Sequence, residues 1–365
     1  MSVTLVCPSM NDLRSRLGIE SPIVQAPMAG WSGVAMAVAV AQAGGLGSLP
    51  AAMLTSDQLA GQIDEFRRAT DAPLNVNFFC HVAPQASRAQ LDAWSESLSR
   101  FDTEFGVDRA ATSSVSPRHP FDDDACQLVE RGRPEVVSFH FGLPAPEFVD
   151  RVRATGAVVM SSATIVAEAV WLESRGCDVV IAQGAEAGGH RGMFLTADVA
   201  AQPGTMALVP RVVDAVNVPV IAAGGIADGR SVAAALVLGA SAVQIGTAYL
   251  LCPEALTSPV HRRALAGGSM DDTVLTNVFT GRPARGRRNR LIDEFGPMSS
   301  DAPAFPTAGS AVAPLRAAAE ETGSGDFSPL WSGQAGVMTS DVPARELTRE
   351  LMADARRALA NSSQH

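Results

Sequence analysis

The stretch Val218–Ala248 reads VPVIAAGGIADGRSVAAALVLGASAVQIGTA. It opens with an apolar run, Val218–Ile226, that contains the pair Gly224–Gly225. Asp228 then stands where a helix needs an acceptor for its first free N–H groups, and Arg230–Leu238 has the small and apolar residues of a packed helix. Gly239 is the residue type that ends helices in the left-handed conformation. A second apolar run, Ala242–Ala248, follows at once. Strand, turn, helix, turn, strand is the repeating unit of a parallel sheet. Runs that are apolar on both faces are what a sheet covered by helices requires.

The same unit recurs upstream. Further short apolar runs lie at Ile23–Pro27, Gly45–Leu49, Leu74–Phe79, Val136–Gly142, Ala157–Ala163 and Val179–Gly184, which makes eight with the two above. Segments of helix length lie between most of them: Gly33–Ala43, Asp57–Ala69 with an acidic cap candidate, Ala145–Thr155 and Ile165–Arg175. Eight such units over about 250 residues predict an α/β protein of the (β/α)8 barrel type.

Two places break the rhythm. Between Phe79 and Val136, residues Leu91, Trp94, Leu98, Phe101 and Phe105 recur at spacings of three and four, the stripe of an inserted helix. After Cys252 comes an irregular segment rich in Pro, Gly and Ser, with a strand-like Thr273–Gly281 and a helix-like Val312–Glu321. The expected organisation is a barrel over residues 1–252, a smaller substrate or lid domain over 253–342, and a helix within 343–365 that packs back on the barrel. Leu347, Leu351 and Leu359 supply the apolar side of that helix.

Composition narrows the chemistry. The chain has 365 residues, 47% hydrophobic and 18% charged, with a net charge of −10, so a nucleic-acid partner is not expected. The most apolar stretch, Gly33–Leu54, is interrupted by Gln42, Gly44, Gly45, Ser48 and Pro50, so no membrane span is expected. The N-terminus lacks a basic segment leading into an apolar core, which argues against a secretory signal. Five scattered cysteines, without Cys-x-x-Cys spacing, argue against a zinc site and fit a cytoplasmic protein. All 28 basic residues are arginine, which excludes Schiff-base chemistry on a lysine and a lysine-dependent phosphate loop.

In a (β/α)8 barrel the active site lies at the C-terminal ends of the strands. Gly224, Gly225 and Gly246 follow the seventh and eighth runs, the usual phosphate position of such barrels, where backbone N–H groups and a helix N-terminus favour an anion. At the first run, Pro27 and Gly30 fix an unusual turn beside Met28, suited to cradling a flat heterocycle. Asn77 and Gln183 offer amides that match the alternating donors and acceptors of an isoalloxazine edge. After the sixth run, AEAGGHRG presents Glu186 and His190 among small residues. His190 is the candidate catalytic residue, and Glu186 reads as a structural group that holds the loop. His81 and His140 are candidates for the substrate pocket, whereas His119, His261 and His365 read as surface residues. The cluster Arg282, Arg285, Arg287, Arg288 and Arg290 reads first as a solvated or salt-bridged face, and second as an anion site.

Taken together, QAPMAG, NVNFF, SFHFGLP, AQGAEAGGHRG, AAGGIADG and QIGTA, with the later TGRPARG and LWSGQ, resemble the nitronate monooxygenases, formerly called 2-nitropropane dioxygenases. The resemblance spans nearly the whole chain, and Trp31 departs from it in bulk. It implies FMN as cofactor, in contact with Gln25, Ala26, Pro27, Met28, Asn77, Gln183, Gly188, Gly189, Ala223, Gly224, Gly225, Gln244, Gly246 and Thr247. It implies no metal. It further implies oxidation of an alkyl nitronate by O2 to a carbonyl compound and nitrite, with His190 as base or substrate orienter. Flavin-dependent enoyl-acyl-carrier-protein and quinone reductases share the barrel and much of the histidine motif, so an NAD(P)H-dependent FMN reductase is the alternative. A flavin-free phosphate-binding isomerase or synthase is the third.

Overall fold

A computed structural model describes residues 8–82, 87–109, 118–267, 272–335 and 341–362. Six of its strands carry the first six apolar runs: β1 (Ile23–Gln25), β2 (Gly47–Pro50), β3 (Leu74–Phe79), β4 (Val136–His140), β5 (Val158–Ala163) and β6 (Val179–Gln183). A two-residue strand, β7 (Gly189–His190), follows. Then come β8 (Val220–Ala223) and β9 (Ala242–Ile245), the last two of the eight expected. Leaving β7 aside, these strands pair in parallel in the order β1-β9-β8-β6-β5-β4-β3-β2. A parallel bridge between Val24 and Leu46 closes β2 onto β1, with Gln25 N–H donating to the Leu46 carbonyl at 2.9 Å. The result is a (β/α)8 barrel.

Alternation along the strands divides the apolar residues. Val24, Val136, Val158, Ile181, Ile221 and Ala242 point inward and share a core with Leu13 and Leu17 of the helix Pro8–Leu17. Their neighbours Ile23, Val180, Ala222 and Val243 point outward and pack under the helices. Period-two alternation thus fills both faces at once, which is why the runs look continuously apolar.

The helix Gly229–Val237 is capped as its sequence indicates, with Asp228 Oδ1 accepting from Ser231 N–H at 2.9 Å. In the helix Ser56–Ala69 the cap is instead Thr55, and Asp57 sits in the first turn. The last helix, Ala344–Ser362, buries Leu347 and Leu351, and Tyr249 Oη meets Thr348 Oγ1 at 2.8 Å beneath it.

A second core lies above the barrel. Trp94, Leu98 and Phe101, from the inserted helix Arg88–Ser99 and its continuation, pack with Val278, Phe279, Leu291 and Phe327 from far down the chain. Two further strands, β10 (Thr273–Thr276) and β11 (Ala284–Arg287), pair antiparallel, and β11 also pairs with β7. His190 stands opposite Ala284 in that register. The sequence reads the neighbourhood of His190 as a loop of the barrel, but its backbone is the edge of a three-stranded sheet supplied from above.

Candidate active site

At the C-terminal ends of the strands the structure has a cavity of about 1320 Å³, part of it open to solvent. Ala26, Pro27 and Met28 border it from the β1 side, Asn77 and His140 from β3 and β4, and Gln183 from β6. Gly188, Gly189 and His190 form one wall. Ala223, Gly224 and Gly225 with Gln244, Gly246 and Thr247 form a second, adjoining one. Residues drawn from seven of the eight apolar runs, or from the turns that follow them, thus meet around one space.

Two expected residues do not border it. Gln25 is fully buried beneath the floor, where its Oε1 accepts from Ser48 N–H at 2.9 Å and its Nε2 donates to the Ala26 carbonyl, so its amide fixes the β1–β2 seam. His81 is buried edge-on to Phe305, at 4.9 Å between ring centroids, within the aromatic group of Phe79 and Phe141. Burial pushes its pKa down to about 4.

The loop from β6 to β7 is held from within. Arg191 is completely buried, and its guanidinium donates to the carbonyls of Gly184 at 3.1 Å, Gly189 at 3.0 Å and Ala187. Burial, then repulsion from Arg285, lowers its pKa to about 9, against the pull of Glu186. Arg285 adds a bond from Nε to the Ala185 carbonyl at 2.9 Å. Gln183 closes the far side, donating to the His190 carbonyl at 3.0 Å and accepting from Gly192 N–H at 2.8 Å. Glu186 turns away from the cavity and accepts from Thr205 N–H and Oγ1 at the start of the helix Thr205–Val213, in keeping with its structural reading.

His190 itself is walled by aromatic rings: Phe305 at 5.3 Å, Trp331 at 5.6 Å, Phe141 at 6.1 Å and Phe79 at 6.3 Å between centroids. Its Nε2 lies 3.0 Å from Thr280 Oγ1, whereas its Nδ1 has no partner among the described residues. Burial holds its pKa well below the ordinary value, and Arg118, His140, Arg282 and Arg191 add repulsion. His140 supports the same strand, with Nδ1 3.1 Å from Ser162 Oγ and Nε2 3.3 Å from the His190 carbonyl. It is pushed down to about 3, by burial first and then by Arg282.

The arginine cluster disperses. Arg282 stacks 3.9 Å from the Phe141 ring centroid, Arg285 and Arg287 are buried on β11, and Arg288 and Arg290 pair with Asp293 and Glu104. His119 is exposed, as expected, and His365 lies outside the described residues. His261 is not on the surface: it is 1% exposed, borders the cavity, and its Nε2 is 3.0 Å from the Trp331 carbonyl. The spacing of His261 and Leu265 on the helix Pro259–Gly267 is the signal that it faces inward. The main wall residues not anticipated as site groups are Phe79, Arg118 and Trp331. Thr280, beside His190, was likewise unanticipated.

The profile of the nitronate monooxygenase family matches residues 11–354. The chain is 42% identical to a nitronate monooxygenase from Pseudomonas aeruginosa over 350 residues, covering 95% of this chain and 100% of that one. It is 39% identical to another from Paraburkholderia phytofirmans, covering 92% of each. Among solved structures it is similar to a nitroalkane oxidase from Streptomyces ansochromogenes, with 37% identity, a TM-score of 0.86 and coverage of 97% and 99%. FabK from Thermotoga maritima is a more distant likeness, with 28% identity and a TM-score of 0.73 over 97% and 98%. Matched along nearly its whole length, barrel and upper sheet together, the chain is an oxidoreductase that belongs to the nitronate monooxygenase family.

Proposed function

We propose that the protein oxidises alkyl nitronates with O2 to a carbonyl compound and nitrite, using FMN held at the barrel mouth. The observation that carries the reading is the positive surroundings of His190. A neutral imidazole within reach of the Arg118, Arg282 and Arg191 charges suits a substrate that arrives as an anion.

Several features of the cavity fit FMN. Gly224 and Gly225, at φ +106° and +69°, turn two N–H groups that find no acceptor among the described residues, which suits a phosphate. The helix Gly229–Val237 has its own capping carboxylate, Asp228, so its N-terminus is already satisfied and backbone N–H groups of the turns would hold the phosphate. On the other wall a Cβ placed on Gly189 would meet nothing within 4 Å, which leaves room for a flat ring. Asn77 spends its Nδ2 on Ser138 Oγ at 2.9 Å, leaving Oδ1 as an acceptor for a ring N–H. Gln244 Oε1 is buried without a partner among the described residues and is a second acceptor of this kind. Bound there, FMN supplies the redox chemistry.

The chain's own contribution is to orient the anion and keep protons where they are. A nitronate head offers only acceptors, so the fitting tautomer has Thr280 donating to Nε2 and His190 donating from Nδ1. A base for neutral nitroalkanes would instead have to take up a proton amid three guanidinium groups, which the low pKa of His190 opposes. His190 is therefore read as the substrate orienter. The rings of Phe79, Phe141, Phe305 and Trp331 exclude water around it.

The reading is tested on the purified protein. It should be yellow, release FMN on denaturation, and form nitrite from a nitronate and O2 without a nicotinamide. Rapid bleaching of the bound flavin by NADH or NADPH, with no response to nitronates, would assign the reductase reading instead.

A further inference from the structure

We propose that the protein has a second anion site, a chamber beside the active-site cavity that takes a small planar oxyanion. Resting on the reaction proposed above, the ligand generated next to it is the product nitrite.

The chamber has a volume of about 790 Å³, part of it open to solvent, and is lined by Arg118, Arg316, Thr280, Thr307, Gly309 and Ser310, together with apolar groups such as Phe279 and Val312. Its wall contains no carboxylate. Arg118 borders both this chamber and the main cavity. Its guanidinium touches the Phe305 ring at 5.8 Å and has neither a hydrogen bond nor an ion pair among the described residues. Arg316 gives its Nε to Glu320 Oε1 at 2.8 Å, and its remaining N–H groups have no partner among the described residues. Glu320 is itself shared with Ser328 Oγ at 2.6 Å.

A helix start adds to this. The helix Ala308–Glu321 begins at the chamber with no side-chain cap, since the hydroxyls of Thr307 and Ser310 donate back to the Ala304 and Thr307 carbonyls. Arg118 Nη1 lies 3.9 Å from the place where a Cβ on Gly309 would stand, so a guanidinium meets the positive end of the helix. Two arginines, of which Arg316 alone has a carboxylate beside it in Glu320, therefore converge with a helix N-terminus. Burial, followed by repulsion from Arg316, lowers the proton affinity of Arg118, and an anion between the two would relieve both effects. A planar oxyanion matches the fork of a guanidinium. The path from the reaction is short in structural terms: Thr280 reaches His190 and also lines the chamber, and Arg118 faces both spaces.

The test is calorimetric titration of sodium nitrite into the FMN-loaded full-length protein without nitronate, with bromide soaked into crystals as a stand-in located by anomalous scattering. Bromide is expected between Arg118, Arg316 and the first turn of the helix. Arg316→Gln should weaken nitrite binding about tenfold or more, and Arg316→Lys, which keeps the charge, should recover most of it. Arg118→Gln should weaken it similarly. Bromide and nitrite found only in the main cavity, or a nitrite affinity indifferent to both glutamine variants, would overturn the proposal. Nitrite that binds and follows Arg316 in a protein that does not oxidise nitronates would uphold the anion site and remove only the proposed reaction.

Discussion

The two long walls of the active-site cavity are held in different ways. The wall of Ala223–Gly225 and Gly246–Thr247 leaves consecutive strands of one sheet, and the barrel fixes it apart from one bond from outside, Gly333 N–H to Thr247 Oγ1 at 2.9 Å. The wall of Gly188–His190 is clamped by Arg191 from inside, paired to β11 from above, and set against Thr280 and Trp331 from the second core. A cofactor's phosphate needs backbone that is already in place. A residue that orients substrate can be shared between two bodies, so that the upper one sets its register. The first wall should therefore respond chiefly to local changes, and the second to changes far away in sequence.

The largest effect expected is at the clamp. Arg191→Met removes a buried guanidinium that donates to three or more carbonyls and should cost about 3 kcal/mol of stability, read from the midpoint of urea unfolding. A loss no greater than that of an exposed arginine such as Arg88 would show that the loop holds itself.

On the first wall, Gly224→Ala forces a side chain at φ +106° and sets a Cβ 3.0 Å from Ala187 N, at the foot of the second. The strain is about 1–2 kcal/mol, and FMN affinity of the apoprotein, followed by flavin fluorescence, should fall about tenfold. Nitronate KM in protein resaturated with FMN should change little. A large KM effect would mean that the two walls are not separable.

Thr280→Val is the converse. It removes the partner of His190 Nε2 from the upper body and should raise the nitronate KM by several-fold to about tenfold, with FMN content unchanged. Unaltered kinetics would mean that the barrel alone orients the imidazole.

The smallest effect at neutral pH is in acid stability. His140 and His261 are held at about 3 and about 4, below their ordinary 6.5, by burial above all. Between those values and 6.5 the unfolded chain binds more protons than the folded one. Their contribution is therefore intact above about pH 6.5 and is lost as pH falls through the folded values. The urea midpoint should decline over that window, and His261→Gln should flatten the decline. A midpoint that rose on acidification would contradict the burial of both rings.

The contrast between the walls also explains what could be read from the sequence. Each barrel unit is local, so the run Val218–Ala223, the cap Asp228 and the turn Gly224–Gly225 lie within a dozen residues and announce one another. His190 stands out because its neighbours are small. Arg191, adjacent to it, carries no local sign of its clamping role, because its partners are carbonyls that any residue possesses. Thr280, Arg118 and Trp331 reach the site from sequence distances that periodicity does not span. His261 was misread because polar neighbours, Arg262 and Arg263, mask a helix face that is buried. Gln25 lies beneath the cavity, since an amide at a strand end can serve the seam of the barrel as readily as a ligand.

The most direct measurement compares one compound presented as its preformed nitronate and as its neutral nitroalkane, over about pH 5 to 8, the range in which an ordinary histidine titrates. With its proton affinity lowered by burial and by the surrounding arginines, His190 should add no step near 6.5 to kcat/KM for the nitronate, and the nitroalkane should be a poor substrate at every pH. Comparable turnover of the nitroalkane, rising with pH through an ionisation near 6.5 that His190→Asn abolishes, would show that the imidazole is a base and contradict the account.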